Sequence, residues 1–166
     1  LTFDQLGIEP RPFARLVEQI TAVLLRHNPA LEAEHHKHPA EGLVALARQV
    51  FETWDTLTSP TLDADQAGAQ EGPGHPPMLA VGFALAPYLQ RAAEVILPRL
   101  DLSLWTKGYC PICGGQPNLA LLEQPRGARH LVCSRCDAAW GYQRVGCPFC
   151  GSEAKQTYYP SQDGAH

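Results

Sequence analysis

The sequence predicts an α+β protein, in which an N-terminal helical domain is followed by a small module of short strands stapled by cysteines. Three observations lead there. Apolar residues recur at helical spacing three times within residues 1–105, and all six cysteines fall after them. The charge balance changes at the same place, from 7 Lys/Arg against 13 Asp/Glu before it to 6 against 4 after it. A shift in charge that coincides with a cysteine boundary marks two structural units. At 166 residues, 45% of them hydrophobic, the chain can build one ordinary domain with a small appendage.

The first helix is expected over Pro12–His27, where Phe13, Leu16, Val17, Ile20, Val23 and Leu24 share one face. Pro12 suits a first turn, where a missing N–H costs nothing, and Pro29 disfavours continuation past Asn28. Leu43, Leu46, Ala47, Val50, Phe51, Trp54 and Leu57 repeat the pattern over Pro39–Leu57. A third helix over Pro77–Leu97 is apolar around most of its circumference, which predicts the central, most buried position. The stretch 58–77, with Ser59-Pro60, Glu71-Gly72-Pro73-Gly74 and Pro76-Pro77, has almost nothing to bury and reads as a mobile surface loop.

From Trp105 the texture changes to strands between cysteine turns. Asn118–Glu123 and Arg129–Val132 are expected to pair as a hairpin around Gln124–Ala128, with Trp140–Val145 as a third strand. The expected division is a helical domain over 1–105, a metal module over 106–145, and the start of a second, incomplete module over 146–166. A unit of this size has little core of its own, so a staple is expected.

The cysteines form three Cys-x-x-Cys pairs: Cys110/Cys113, Cys133/Cys136 and Cys147/Cys150. The first and third read Cys-Pro-x-Cys-Gly, the knuckle of zinc ribbons and rubredoxins. Two intervening residues let both sulfurs of a tight turn reach one ion. Glycine after the second cysteine accepts a positive φ, which turns backbone N–H groups toward the sulfurs. The spacing from Cys113 to Cys133 fits a ribbon in which a hairpin carries the second knuckle back to the first. Cys110, Cys113, Cys133 and Cys136 are therefore the expected ligands of a tetrahedral four-cysteine site, a rubredoxin-like or zinc-ribbon centre for iron (Fe2+/Fe3+) or zinc. Structural disulfides would need an oxidising compartment, and a thioredoxin-type redox motif would need a βαβ setting; the sequence offers neither.

Cys147 and Cys150 are left over. They could replace one of the other pairs, meet a second chain in a homodimer, await a fourth pair, or act as reactive thiols. His166 is a weak candidate ligand for them. His35, His36 and His38, beside Glu32 and Glu34, read as a solvated loop rather than a metal site. Trp140, Tyr142, Tyr158 and Tyr159 read as cover for the sheet rather than as a stacking surface for bases. Arg144 could lie on Trp140 or meet a partner's carboxylate.

Several classes are excluded or disfavoured. Met78–Leu97, the most apolar run, is interrupted by Tyr88, Gln90, Arg91 and Glu94, so no membrane insertion is expected. Leu-Thr-Phe-Asp at the N-terminus lacks the layout of a signal peptide and also lacks an initiator Met. A cytoplasmic protein, processed or a fragment, is the expectation. Neither half is basic enough for a nucleic-acid footprint. No Ser-His-Asp set, phosphate loop or spaced carboxylate pair points to an enzyme.

The run from Tyr109 to Ser152 resembles the formate dehydrogenase accessory family, FdhE. The resemblance is carried by Cys110-Pro-Ile-Cys-Gly-Gly-Gln-Pro117, by Leu131-Val-Cys-Ser-Arg-Cys136, and by Trp140-x-x-x-Arg144-x-x-Cys147-Pro-Phe-Cys-Gly151. The helix around Ala84-x-x-x-Tyr88 is also similar, while residues 1–60 match only in helical character. The resemblance implies a helical domain followed by two rubredoxin-like modules. Cys110, Cys113, Cys133 and Cys136 would hold a first metal, iron by this likeness, and Cys147 and Cys150 would be half of a second site. A fourth Cys-x-x-Cys would be expected beyond them, so the chain reads as truncated. The implied role is binding the catalytic subunit of formate dehydrogenase in the cytoplasm and assisting its maturation. Two readings compete with it: a zinc-ribbon nucleic-acid binder, and a thiol redox or metal-delivery protein acting through Cys147 and Cys150.

Overall fold

A proline at the first helical position and a residue every fourth position facing inward define the first helix, α1, Pro10–His27. It begins at Pro10 rather than Pro12, because both prolines fit within the first turn, where their missing N–H groups leave no bond unmade. Phe13, Val17 and Thr21 form its buried seam, and Thr21 Oγ1 returns its hydrogen bond to the Val17 carbonyl (2.8 Å). Arg26 and His27 lie in the last turn, where positive charge suits the helix dipole. A computed structural model describes residues 1–28, 39–58 and 76–152. A short 3-10 turn, Phe3–Leu6, precedes α1 and buries Phe3 edge-on to Phe51.

The second helix, α2, is Ala40–Thr58, and the third, α3, is Pro76–Ile96, followed by a 3-10 turn at Leu97–Arg99. Each of the three helices packs on the other two. The inward face of α3 is made of small residues, Ala80, Ala84 and Ala93, between Val81, Leu85 and Leu89. Small residues let helices approach closely: a Cβ on Gly82 would sit 2.7 Å from Cζ3 of Trp54 on α2. The helix is nonetheless less enclosed than its composition suggests, since Phe83 and Val95 are exposed. Its apolar circumference outruns the surface that two neighbouring helices can cover.

Beyond the helices, β1 (Pro117–Glu123), β2 (Ala128–Cys133) and β3 (Ala139–Tyr142) form an antiparallel sheet in the order β1-β2-β3. The α+β class read from the sequence holds. Pro117, which has no N–H to donate, opens β1, and a shift of register between Pro117 and Leu119 absorbs one extra residue. β3 stops at Tyr142 rather than reaching Val145. Tyr142 lies opposite Arg129, and β2 has only Ala128 left before the hairpin turn. On the inner face Leu131 and Trp140 are neighbours across β2 and β3 and are almost fully enclosed. Trp140 donates its indole N–H to the Lys107 carbonyl (3.0 Å), so its one polar atom is satisfied. The buried residues of helices and sheet form one continuous cluster. Among the described residues no helix is long and apolar enough to cross a membrane.

Candidate metal centre

Each cysteine pair sits in the same local turn, and the backbone shows why. In the first, Cys110 N donates to Gly115 O (2.8 Å) and Gly114 N to Cys110 O (3.0 Å). In the second, Cys133 N donates to Ala138 O (3.0 Å); in the third, Cys147 N donates to Ser152 O (2.9 Å) and Gly151 N to Cys147 O (2.9 Å). The residue after the second cysteine is left-handed in all three, with φ of 76° at Gly114, 56° at Asp137 and 69° at Gly151. Two of these positions are glycine, as the spacing predicted. The third is Asp137, one of the few other residue types that tolerate this conformation.

The hairpin β1–β2 brings the first two knuckles face to face. The Sγ atoms of Cys110, Cys113, Cys133 and Cys136 all lie within 4.8 Å of one another. The closest approaches are 3.6 Å for Cys110–Cys136, 3.5 Å for Cys113–Cys133 and 3.6 Å for Cys113–Cys136. Four sulfurs about 2.3 Å from a zinc ion have edges of about 3.8 Å, so this set lies near the size that a tetrahedral ion needs. All six described cysteines are free thiols, which removes the disulfide reading. Ile112 N and Arg135 N point at the sulfurs of Cys110 and Cys133, each at 3.4 Å. Such N–H donors stabilise negative charge on a ligating sulfur. Cys110, Cys133 and Cys136 are buried and Cys113 is partly so.

Crowding sets the four thiols against one another. Hydrogen bonding with Cys113 holds Cys110 below the ordinary thiol range, and bonding with Cys110 does the same to Cys133. The same Cys110 sulfur pushes Cys113 and Cys136 above that range. A bound cation would compensate the charge of four thiolates, and four soft sulfurs in tetrahedral reach suit zinc or iron.

Cys147 and Cys150 occupy a complete knuckle of the same kind but join no larger ligand cluster among the described residues. Backbone N–H groups of Cys150 and Phe149 hold the Cys147 thiol below its ordinary value. The knuckle is seated against the first: a Cβ on Gly108 would fall 1.9 Å from the Pro148 carbonyl oxygen. Tyr142 OH donates to Cys147 O (3.3 Å), and Arg129 donates to Gly146 O (2.8 Å) while its guanidinium lies over the Tyr142 ring. Trp140 and Tyr142 thus cover and tie the sheet. Arg144 does not stack on the enclosed Trp140; it is exposed beside Gly127 at the hairpin tip. His35, His36, His38, Tyr158, Tyr159 and His166 lie outside the described residues.

Two residues around the centre were not singled out from the sequence. Arg135, inside the second knuckle, is buried and donates to the Phe51 carbonyl of α2 (2.8 Å). Asp137 accepts from the Gln90 side chain of α3. Neither contact leaves a pattern along the chain, because the partners are 84 and 47 residues away.

Residues 109–144 match the profile of the FdhE central domain. Through this module the chain is similar to FdhE proteins. It is 32% identical over 101 residues to the protein FdhE homolog of Shewanella baltica, covering 59% of this chain and 33% of that one. The FdhE homolog of Shewanella oneidensis is 33% identical over 88 residues (51% and 29%), and that of Aquifex aeolicus 37% over 75 residues (42% and 26%). The chain spans about a third or less of the length of these FdhE relatives. No solved structure matches it. The FdhE match begins one residue before Cys110 and contains all four clustered cysteines, while Cys147 and Cys150 fall beyond it.

Proposed function

We propose that this chain is a non-catalytic maturation factor for formate dehydrogenase that binds the catalytic subunit in the cytoplasm and carries an iron or zinc ion held by four cysteines. The observation that carries the reading is the coincidence of the FdhE central-domain match with the four converged sulfurs. The likeness to FdhE proteins supports an accessory role. Sulfur spacing and burial support the ion, with Cys110, Cys113, Cys133 and Cys136 as its ligands. Bound there, it would staple a three-stranded sheet too small to hold itself together.

Cys147 and Cys150 stand apart in this reading, as half of a further site or as reactive thiols. Co-purification of a tagged chain with a formate dehydrogenase catalytic subunit tests the client; no retention of that subunit would refute it. Metal analysis with a visible spectrum after anaerobic purification identifies the ion. A ferric thiolate band assigns iron, stoichiometric zinc with no band assigns zinc, and metal-free folded protein refutes the centre.

A further inference from the structure

The second knuckle touches the helices through two side chains, exposed Asp137 at Gln90 of α3 and buried Arg135 at α2. Arg135 is 7% exposed, and its guanidinium carbon lies 4.7 Å from the ring centre of Phe51 and 5.8 Å from that of Trp54. Nη2 donates to the Phe51 carbonyl, and Nε has no hydrogen-bond partner. The ion pairs among the described residues, Arg48–Asp4 and Arg91–Glu94, are both at the surface and leave Arg135 without a carboxylate. A buried cation with one carbonyl and two ring faces is under-compensated.

The counter-charge is next door. Arg135 stands between Cys133 and Cys136 in the chain. Its Cδ and the Cys133 Sγ lie 2.6 and 3.2 Å from the position a Cβ on Gly115 would take, so the stem of the arginine runs alongside a ligand sulfur. A divalent ion held by four thiolates leaves a centre of net negative charge, and the ion's own charge must be counted together with that of its ligands.

We infer that Arg135 is a positioning residue that couples occupancy of the four-cysteine centre to the packing of α2: the loaded, anionic centre holds the buried guanidinium against Phe51 and Trp54. This rests on the proposed metal centre and adds a consequence for the helices. Loading the module tightens the α2 face around Phe51 and Trp54, although Phe51 is 84 residues from Arg135 along the chain. Emptying it loosens that face. By linkage, the packing of Arg135 on α2 strengthens metal binding by the same factor.

The test is hydrogen exchange of the α2 amides, read by mass spectrometry on the whole chain with and without Co2+, whose thiolate absorption band reports occupancy separately. In the wild-type chain, loading should slow exchange across residues 50–55 by about tenfold, the usual scale of a coupling between sites. In Arg135→Met, which keeps an apolar stem, the band should persist with about tenfold weaker Co2+ affinity, and α2 exchange should lose its dependence on metal. A band with unchanged α2 exchange in the wild type overturns the coupling and spares the centre. No band in the wild type overturns both. Exchange raised equally in loaded and empty Arg135→Met, with its metal dependence intact, would mean that Arg135 serves packing only, and would also overturn the coupling. Should Arg135→Met fail to fold, Arg135→Lys, which keeps the charge but not the planar stacking fork, must show the same loss of metal dependence.

Discussion

Gly114 and Gly115 are adjacent, and the structure requires each to be glycine for a different reason. Gly114 has φ of 76° and open space around its missing Cβ; Gly115 has no positive φ, but its missing Cβ would lie 2.6 Å from Arg135 Cδ, 3.1 Å from Cγ and 3.2 Å from Cys133 Sγ. Gly114→Ala therefore places an L side chain in the left-handed region, costing about 1–2 kcal/mol of stability without touching a ligand. Asn tolerates that region, so Gly114→Asn should recover most of the loss. Gly115→Ala acts on the site instead. The Arg135 stem cannot swing away cheaply because its head is anchored to the Phe51 carbonyl. The sulfur must give by several tenths of an ångström, against a ligand tolerance of about 0.2 Å. Overpacking costs about 1–3 kcal/mol, and displaced support of a ligand typically costs about 10–100-fold in metal affinity, or about 1.4–2.8 kcal/mol. Urea unfolding of the loaded protein and Co2+ competition with a chelator separate the two effects. Gly115→Ala should lose affinity, while Gly114→Ala should keep affinity and lose stability. Wild-type affinity in Gly115→Ala would refute the account of how Arg135 and Cys133 are held.

Three further outcomes follow from the same contacts. Phe13 is fully enclosed and packs edge-on against Tyr88 at 6.0 Å, so Phe13→Ala should cost about 3–5 kcal/mol in chemical unfolding. The Asp4 carboxyl is held below its ordinary pKa by its hydrogen bond to Arg48 and then by that residue's charge. A depressed folded-state pKa means that its contribution is complete above the unfolded value of about 3.9 and disappears as pH falls through the folded one. The pair is exposed, so the acid-side difference between wild type and Asp4→Asn should be small and shrink with added salt. The double change Cys147→Ser/Cys150→Ser should leave Co2+ binding at the first four cysteines intact, and loss of that band would show that the third knuckle contributes ligands.

The sequence by itself determined the parts that are local. Helix positions followed from apolar spacing, the end of α1 from Asn28 and Pro29, and the knuckles from Cys-x-x-Cys followed by glycine, because a turn or an amphipathic face is specified by residues close along the chain. The four-sulfur cluster was legible for a related reason: two local turns joined by a hairpin of the right length must meet. Boundaries were less legible where a neighbour sets them, as at Tyr142, where β3 ends because β2 has nearly run out of residues to pair. Tertiary structure alone decided the rest. That Arg135 lies buried on Phe51 and Trp54, that Gln90 meets Asp137, that Gly82 makes room for Trp54 and that Gly108 makes room for Pro148 all depend on surfaces brought together from distant parts of the chain. Burial of a charge, or of a missing Cβ, is a property of what packs against it, and no periodicity in the residue's own segment records that.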